Sequence, residues 1–223
     1  VSDNFKKRIL TSSALIILIL TMLNNKFFLV YFLILVTVIS SLEFNQIIQL
    51  LKFKSKVTKN IFIYTFFSYL LFFSYLCFTQ IISSTESKVL LIYVLSICVL
   101  SDIGGLVFGK IFKGPKLIKI SPKKTYAGSF GSFFMSIILV IFFTKFYTLN
   151  TSFVIFLSIT LLICFLCQTG DIFFSYLKRK AKLKDSGNIL PGHGGLLDRV
   201  DGILLALPLG LLLLSMYKIN LIL

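Results

Sequence analysis

Long apolar stretches follow one another along this 223-residue chain, separated by short polar segments. A helix of about 20 apolar residues, with a range of about 17–25, crosses the hydrocarbon core of a bilayer. Seven stretches approach this length, although the first two and the last are short. The pattern predicts an all-α, polytopic transmembrane helical bundle with about seven spans, at residues 9–23, 27–42, 61–85, 89–109, 125–144, 146–170 and 202–217.

The distribution of positive charge predicts the orientation of these spans, because short cytoplasmic loops carry an excess of Lys and Arg. With a cytoplasmic N-terminus, 19 of the 23 Lys and Arg residues lie on the cytoplasmic side and four on the other side. The Lys6-Lys7-Arg8 cluster precedes an apolar run with no A-x-A-like cleavage site, which favours a retained first helix over a signal peptide. The abundance of Phe, Ile, Lys and Asn favours a bacterial protein, which we expect in the inner membrane.

Composition excludes an ordinary soluble enzyme. The chain is 57% apolar and 14% charged, against about 45–50% and about 25% in soluble domains. A net charge of +15 should attract anions such as lipid headgroups or nucleotides. Nucleic acid is not an expected partner, because the lysines are scattered over four short loops without a binding module. The four cysteines lie in apolar stretches, where we expect thiols that pack as small hydrophobic groups.

Five of the eight acidic residues lie after residue 100: Asp102, Asp171, Asp185, Asp198 and Asp201. An ionisable group within an apolar run costs at least about 2.5–3.5 kcal/mol on insertion scales, so it is kept where it has a partner. A nearby lysine is one such partner, and a bound cation is another. Asp198 and Asp201, at i and i+3, face the same way if a helix begins there.

Two carboxylates held close together repel each other unless a cation lies between them. Hard divalent cations such as Mg²⁺ bind carboxylate oxygens together with phosphate oxygens of a substrate. The chain offers no cluster of His and Cys ligands of the kind that zinc prefers. The sequence therefore favours phosphoryl chemistry at these aspartates.

Two glycine-containing segments carry the remaining candidate groups. His193, the single histidine, stands among glycines that allow close backbone approach to a ligand. The segment from Gly104 to Gly128 lacks the residue order of a P-loop, but its lysines and hydroxyls have the chemistry of a phosphate clamp. A basic loop lying on anionic lipid is the alternative interpretation.

The polar positions between Ser175 and Asp201 resemble the signature of the phosphatidate cytidylyltransferases, also called CDP-diacylglycerol synthases. The resemblance covers 27 residues with every polar position in place, and more loosely the region from Ser101 to Gly202. One departure is Ala127, where the family commonly has an acidic residue. The matching segments are Ser175-Tyr176-Leu177-Lys178-Arg179, Lys184-Asp185-Ser186-Gly187, Leu190-Pro191-Gly192-His193-Gly194-Gly195 and Asp198-Arg199-Val200-Asp201, with Ser121-Pro122-Lys123-Lys124-Thr125 and Gln168-Thr169-Gly170-Asp171 upstream.

The resemblance implies transfer of a cytidylyl group from CTP to phosphatidate, with Mg²⁺ or another hard divalent cation and room for a second cation. It implies Asp171, Asp198 and Asp201 as metal ligands and catalytic residues. It further implies phosphate contacts from Lys123, Lys124, Lys178 and Arg179, of which Lys178 and Arg179 are catalytic, and polar contacts from Ser121, Ser175 and His193. Asp102 and Asp185 are positioning candidates. Residues 1–100 would then be N-terminal transmembrane helices, and residues 101–223 a catalytic region whose site faces the cytoplasm.

Other functions stay open at this stage. Asp198-x-x-Asp201-Gly202 mimics the start of the CDP-alcohol phosphatidyltransferase motif, but Leu205 and Ala206 break its continuation and no aspartate follows. The alternative functions are a CTP-dependent isoprenoid alcohol kinase, which would be a distant relative, and another integral-membrane lipid phosphotransferase. An anion transporter would also use carboxylates and a basic vestibule, although the two halves of the chain show no convincing repeat. A homodimer is left open.

Overall fold

The computed structural model describes residues 21, 25–53, 55–118, 121–189, 194–217 and 221–222. Within these residues the chain forms long helices joined by short strands and loops. The helices are α1 (Lys26–Leu50), α2 (Lys56–Ser83), α3 (Thr85–Phe112), α4 (Tyr126–Phe146), α5 (Phe153–Lys180) and α6 (Leu197–Met216). The strands are β1 (Lys116–Ile118), β2 (Ser121–Thr125), β3 (Thr148–Leu149) and β4 (Leu221–Ile222).

Each of these six helices is long and apolar enough to cross a membrane. They correspond to the second to seventh predicted stretches, so the prediction of a helical integral membrane protein is confirmed at that level. The first predicted span, at residues 9–23, lies outside the described residues. The count of about seven spans and the cytoplasmic N-terminus therefore stay predictions.

Two helices extend well beyond their predicted ends. Helix α1 continues to Leu50, since Phe44, Ile47 and Ile48 keep one face buried after the purely apolar run has ended. Helix α5 continues ten residues past Gly170 and ends at Lys180. Apolarity marks where a chain can cross lipid, but a helix continues while its backbone is hydrogen bonded and one face packs. The extensions place Glu43 and Asp171 inside helices.

The segment interpreted as a glycine-containing basic loop divides into a helix end and a hairpin. Gly104, Gly105 and Gly109 belong to helix α3, in agreement with the predicted span at residues 89–109. Strands β1 and β2 then pair antiparallel, with Lys116 opposite Thr125. The Thr125 hydroxyl accepts the Gly128 N–H at 3.1 Å and so caps α4. The hairpin thus leads directly into the next helix.

The chain packs as two compact units, Val1–Ile82 with Leu177–Val200, and Ser83–Tyr176 with Asp201–Leu223. Helices α5 and α6 each contribute residues to both units. In the first unit α1 and α2 meet through stacked rings of Phe44 and Phe66, whose centroids are 3.8 Å apart, and through a 2.7 Å hydrogen bond between the Thr37 and Ser74 hydroxyls. The predicted boundary near residue 100 separates N-terminal helices from a catalytic region. This packing does not test that division, which stays a prediction.

In the second unit, helices α3 and α4 approach each other along a seam of small residues. A Cβ on Gly104 would clash with the Gly131 carbonyl, and a Cβ on Gly131 would clash with Phe108 and lie 2.7 Å from the Gly104 oxygen. The Ser132 hydroxyl donates to the Ser101 carbonyl at 2.7 Å across the same seam. Small residues let transmembrane helices approach closely. These glycines therefore serve helix packing, which the sequence alone did not indicate.

Replacing Gly131 with Ala should loosen this seam. The added methyl has no free space, and overpacking of this kind costs about 1–3 kcal/mol. We expect a lower Tm for the purified chain in detergent than for Phe130→Leu, a substitution at a 69% exposed position of the same helix. Equal Tm values for the two variants would contradict the close packing of α3 on α4.

Candidate active site

In the first unit, Asp198 is the centre of a polar cluster. Its Oδ1 accepts the Lys178 ammonium at 2.5 Å, with the two side chains only 10% and 11% exposed. Its Oδ2 accepts the backbone N–H groups of Ser186 at 2.8 Å and Gly195 at 3.1 Å. Three donors therefore surround one carboxylate at the start of α6. Since α6 begins at Leu197, Asp198 and Asp201 do lie one turn apart on a helix, as their spacing predicts.

The end of α5 directs the chain into the loop that surrounds Asp198. Lys182 has φ of 59°, and the N–H of Leu183 donates to the Lys178 carbonyl at 2.8 Å. This is a Schellman-type helix end, in which a residue in the left-handed region reverses the chain. The Arg179 guanidinium donates to the Leu183 carbonyl at 3.0 Å. Arg179, predicted as a phosphate contact, thus also stabilises this turn.

Glu43 is the residue that sequence reasoning missed. Its side chain is 2% exposed and accepts the Ser186 hydroxyl at 2.8 Å, the Leu196 N–H at 3.0 Å and the Leu197 N–H at 2.8 Å. Helix N-termini need acceptors for their first N–H groups, usually from a Ser, Thr, Asp or Asn cap. Leucines flank this helix start, so Glu43 supplies the acceptor from α1. The available signal was an acid among apolar residues directly after a predicted span.

Two glycines of the signature make room for Glu43. A Cβ on Gly187 would lie 2.6 Å from its Oε1, and a Cβ on Gly195 would lie 2.6 Å from its Oε2 and clash with the Ser186 hydroxyl. At these two positions the backbone lies close to side chains of the same chain, Glu43 and Ser186. His193, predicted as a ligand contact, lies outside the described residues.

In the second unit, Lys124 of β2 forms an ion pair with Asp171 of α5. Nearby, the Ser129 hydroxyl donates to Gln168 Oε1 at 2.5 Å, so α4 and α5 meet through polar groups. Ser121 begins the same strand as Lys124, and Ser175 follows Asp171 by one turn of α5. The side chain of Lys123 lies outside the described part of the chain.

Asp201 is 8% exposed, and its Oδ1 accepts the Gly202 N–H at 2.9 Å. A Cβ on Gly170 would lie 2.9 Å from the Asp201 carbonyl, and a Cβ on Gly202 would lie 2.8 Å from Cys167 Sγ. These glycines allow α5 and α6 to approach closely within the second unit. The backbone at Asp171 is therefore next to the helix turn that carries Asp201.

Within the described residues, no three His, Cys, Asp or Glu side chains form a group that could hold a metal ion. Mg²⁺, however, is usually bound through one or two carboxylates, with water and substrate phosphates completing its shell. Asp171 and Asp201, on closely packed helices, fit that donor set. Asp198 already accepts three donors, and its assignment as a metal ligand stays a prediction.

Residues 55–217 match the family model described as "Cytidylyltransferase family". The chain belongs to the cytidylyltransferase family. The matched range includes both ion pairs, Lys124–Asp171 and Lys178–Asp198, whereas Glu43 precedes it.

Individual cytidylyltransferase relatives are bacterial. A phosphatidate cytidylyltransferase of Rickettsia typhi is 39% identical over 136 residues, 56% of this chain and 59% of that protein. One from Rickettsia felis is 42% identical over 114 residues, 48% of this chain and 50% of that protein. One from Staphylococcus aureus is 42% identical over 120 residues, 53% of this chain and 46% of that protein. The chain thus matches about half the length of these relatives.

A double-mutant cycle should measure the contribution of the Lys178–Asp198 pair to the stability of this chain. Lys178→Met or Asp198→Asn alone leaves a partner that is almost buried, and such a change costs about 3–5 kcal/mol. Together the two changes should cost less than the sum, with a coupling of about 0.5–3 kcal/mol in unfolding free energy. Lys184→Met, at an exposed position of the loop, serves as the control. Additive effects of the two substitutions would show that the ion pair contributes nothing.

Proposed function

We propose that this chain transfers a cytidylyl group from CTP to phosphatidate and forms CDP-diacylglycerol and pyrophosphate. Membership of the cytidylyltransferase family supports this proposal, as do relatives named phosphatidate cytidylyltransferase at 39–42% identity. The observation that carries it is the Lys124–Asp171 ion pair beside buried Asp201. It offers a cation for phosphate oxygens and carboxylates for a metal ion in one part of the membrane protein.

The chemistry of the reaction explains why such groups suffice. A phosphate oxygen of phosphatidate attacks the α-phosphorus of CTP, and the bond from that phosphorus to the bridging oxygen of the β-phosphate breaks. The oxygen keeps the electron pair and leaves with pyrophosphate. The nucleophile is ionised at neutral pH, so no general base is needed. Two polyanions must instead be brought together in line, which requires positive charge and fixed orientation.

Lysine ammonium groups supply the charge in this proposal. Lys124 and Lys178 are held by Asp171 and Asp198 in the described structure, and each ammonium can exchange a carboxylate oxygen for a phosphate oxygen. Lys123 and Arg179 are the further proposed phosphate contacts. Ser121, Ser175 and His193 are proposed to orient the nucleotide by hydrogen bonds.

Asp171 and Asp201 would hold Mg²⁺ or another hard divalent cation, with Asp198 as the third proposed ligand. When bound, the cation would neutralise charge on the phosphates, and a second cation would add to this effect. Release of an ammonium to substrate would free Asp171 for the metal.

We also propose that the site faces the cytoplasm from the inner membrane. The 19 to 4 division of Lys and Arg between the two sides supports this orientation. CTP would enter from the cytoplasm, and phosphatidate would approach laterally from the inner leaflet. Its acyl chains would stay among apolar helices.

The direct test uses the purified chain in detergent with phosphatidate, Mg²⁺ and CTP labelled in the cytosine ring. We expect a labelled lipid and one pyrophosphate per lipid formed. A phosphorylated lipid without cytidine, made from an alcohol acceptor, would favour the isoprenoid alcohol kinase. Nucleotide-independent uptake of anions by liposomes containing the chain would favour a transporter.

Asp171→Asn and Asp201→Asn should each lower kcat by about 100-fold or more, because a metal ion contributes several kcal/mol of charge stabilisation. Helix content and yield from the membrane should stay at wild-type levels. Glu86→Gln, in the first turn of α3, removes an acid remote in sequence from the signature and should keep full activity. Wild-type kcat in either aspartate variant would exclude that residue as a metal ligand.

A further inference from the structure

Glu43 is an ionisable group within a helix long enough to span a membrane, and it precedes the part of the chain that matches the family. A carboxylate within a span is costly, and such groups are kept where the protein supplies partners and uses them. Glu43 has three donors and is 2% exposed. These donors belong to the loop between α5 and α6, which carries the signature residues, and to the start of α6.

The hydrogen bonds of Glu43 continue to the ion pair of the signature. The Ser186 hydroxyl donates to Glu43 Oε2, and the Ser186 N–H donates to Asp198 Oδ2. Asp198 Oδ1 in turn accepts Lys178. One residue therefore joins the two carboxylates, and a shift of Ser186 would move the donor that orients Asp198.

Glu43 also fixes the start of α6. Its two oxygens accept the N–H groups of Leu196 and Leu197, which are two residues and one residue before Asp198. Hydrogen bonds are directional, so three donors at two points of the loop fix both its position and its orientation. An apolar residue at position 43 would pack against the loop without fixing the direction of these N–H groups.

The same loop forms one wall of a cavity of about 500 Å³ in the first unit. Helix α1 supplies the opposite wall with amide side chains, so the cavity width depends on how the loop is held against α1. Its lining includes Asn45, Gln46 and Gln49 of α1 and Asp185, Ser186 and Gly187 of the loop. Glu43 lies immediately before the α1 part of this lining.

We propose that Glu43 is a positioning residue for cytidylyl transfer. Through Ser186 and the start of α6 it holds Asp198 and Lys178 in the orientation that the reaction requires. This inference rests on the proposed function, because the orientation of Lys178 and Asp198 matters only if this part of the chain binds the phosphates of the substrates. Glu43 itself touches no reacting atom.

The test compares Glu43→Ala, Glu43→Gln and Ser186→Ala with wild type, and uses Glu86→Gln as the matched control. Misplacement by about 1 Å can cost about 100-fold in rate, so we expect a kcat loss of that order for Glu43→Ala, with a smaller change in KM for CTP. Glu43→Gln keeps one acceptor oxygen and can donate to the Ser186 hydroxyl. It should therefore recover about a tenth of wild-type kcat or more, and Ser186→Ala should fall between wild type and Glu43→Ala.

Hydrogen exchange gives a readout that does not depend on catalysis. The amides of Ser186, Gly195, Leu196 and Leu197 should exchange faster in Glu43→Ala than in wild type, while those of α3 stay unchanged. If the Glu43→Ala chain does not fold, the same comparison is made with Glu43→Gln and Ser186→Ala.

Two results would overturn the positioning role. One is a lower Tm with wild-type kcat per folded molecule, which would make Glu43 an anchor for stability alone. The other is a kcat loss without faster exchange in the loop. If the wild-type chain forms no cytidine lipid, the proposed function fails and the positioning role fails with it, whereas loop exchange that responds to Glu43 would still establish the structural link.

Discussion

The carboxylate of Glu43 must be satisfied from within the protein, because a hydrocarbon environment offers it no donor and an unpaired buried charge is very costly. The chain meets this requirement with a hydroxyl and two backbone N–H groups from residues more than 140 positions away. Those N–H groups lie at the start of α6, where the leucines themselves offer no acceptor side chain. One interaction therefore satisfies a buried charge and a helix end together.

Two partly exposed acids, Asp198 and Asp171, are also paired with donors. Asp198 takes an ammonium and two N–H groups, and Asp171 takes the ammonium of Lys124. Each carboxylate is thus held in its own unit with a lysine that phosphate oxygens can compete for. In the proposed reaction two polyanionic substrates are brought together, and the lysines paired with these aspartates would supply the positive charge that this requires.

Much of the fold was predictable, because about 20 apolar residues in a row have few alternatives to a membrane helix. Six predicted stretches correspond to helices, and the i, i+3 relation of Asp198 and Asp201 follows from a helix that begins at Leu197. Helix ends, the β1–β2 hairpin and the α3–α4 seam were not predictable, since they depend on tertiary packing. The role of Glu43 was missed for the same reason: its partners are remote in sequence, and no local pattern connects them.

Glycines of the signature also serve the packing of the chain itself. Gly187 and Gly195 have no room for a side chain because Glu43 and Ser186 occupy that space. The predicted ligand contact at His193 lies outside the described residues. Ser186 in turn serves two carboxylates, with its hydroxyl on Glu43 and its N–H on Asp198. Any side chain at Gly195 would displace one of these groups and disturb both carboxylates. Part of the signature therefore encodes the packing of the loop on α1, and the hydrogen bonds of Asp198, including the one to Lys178, depend on that packing.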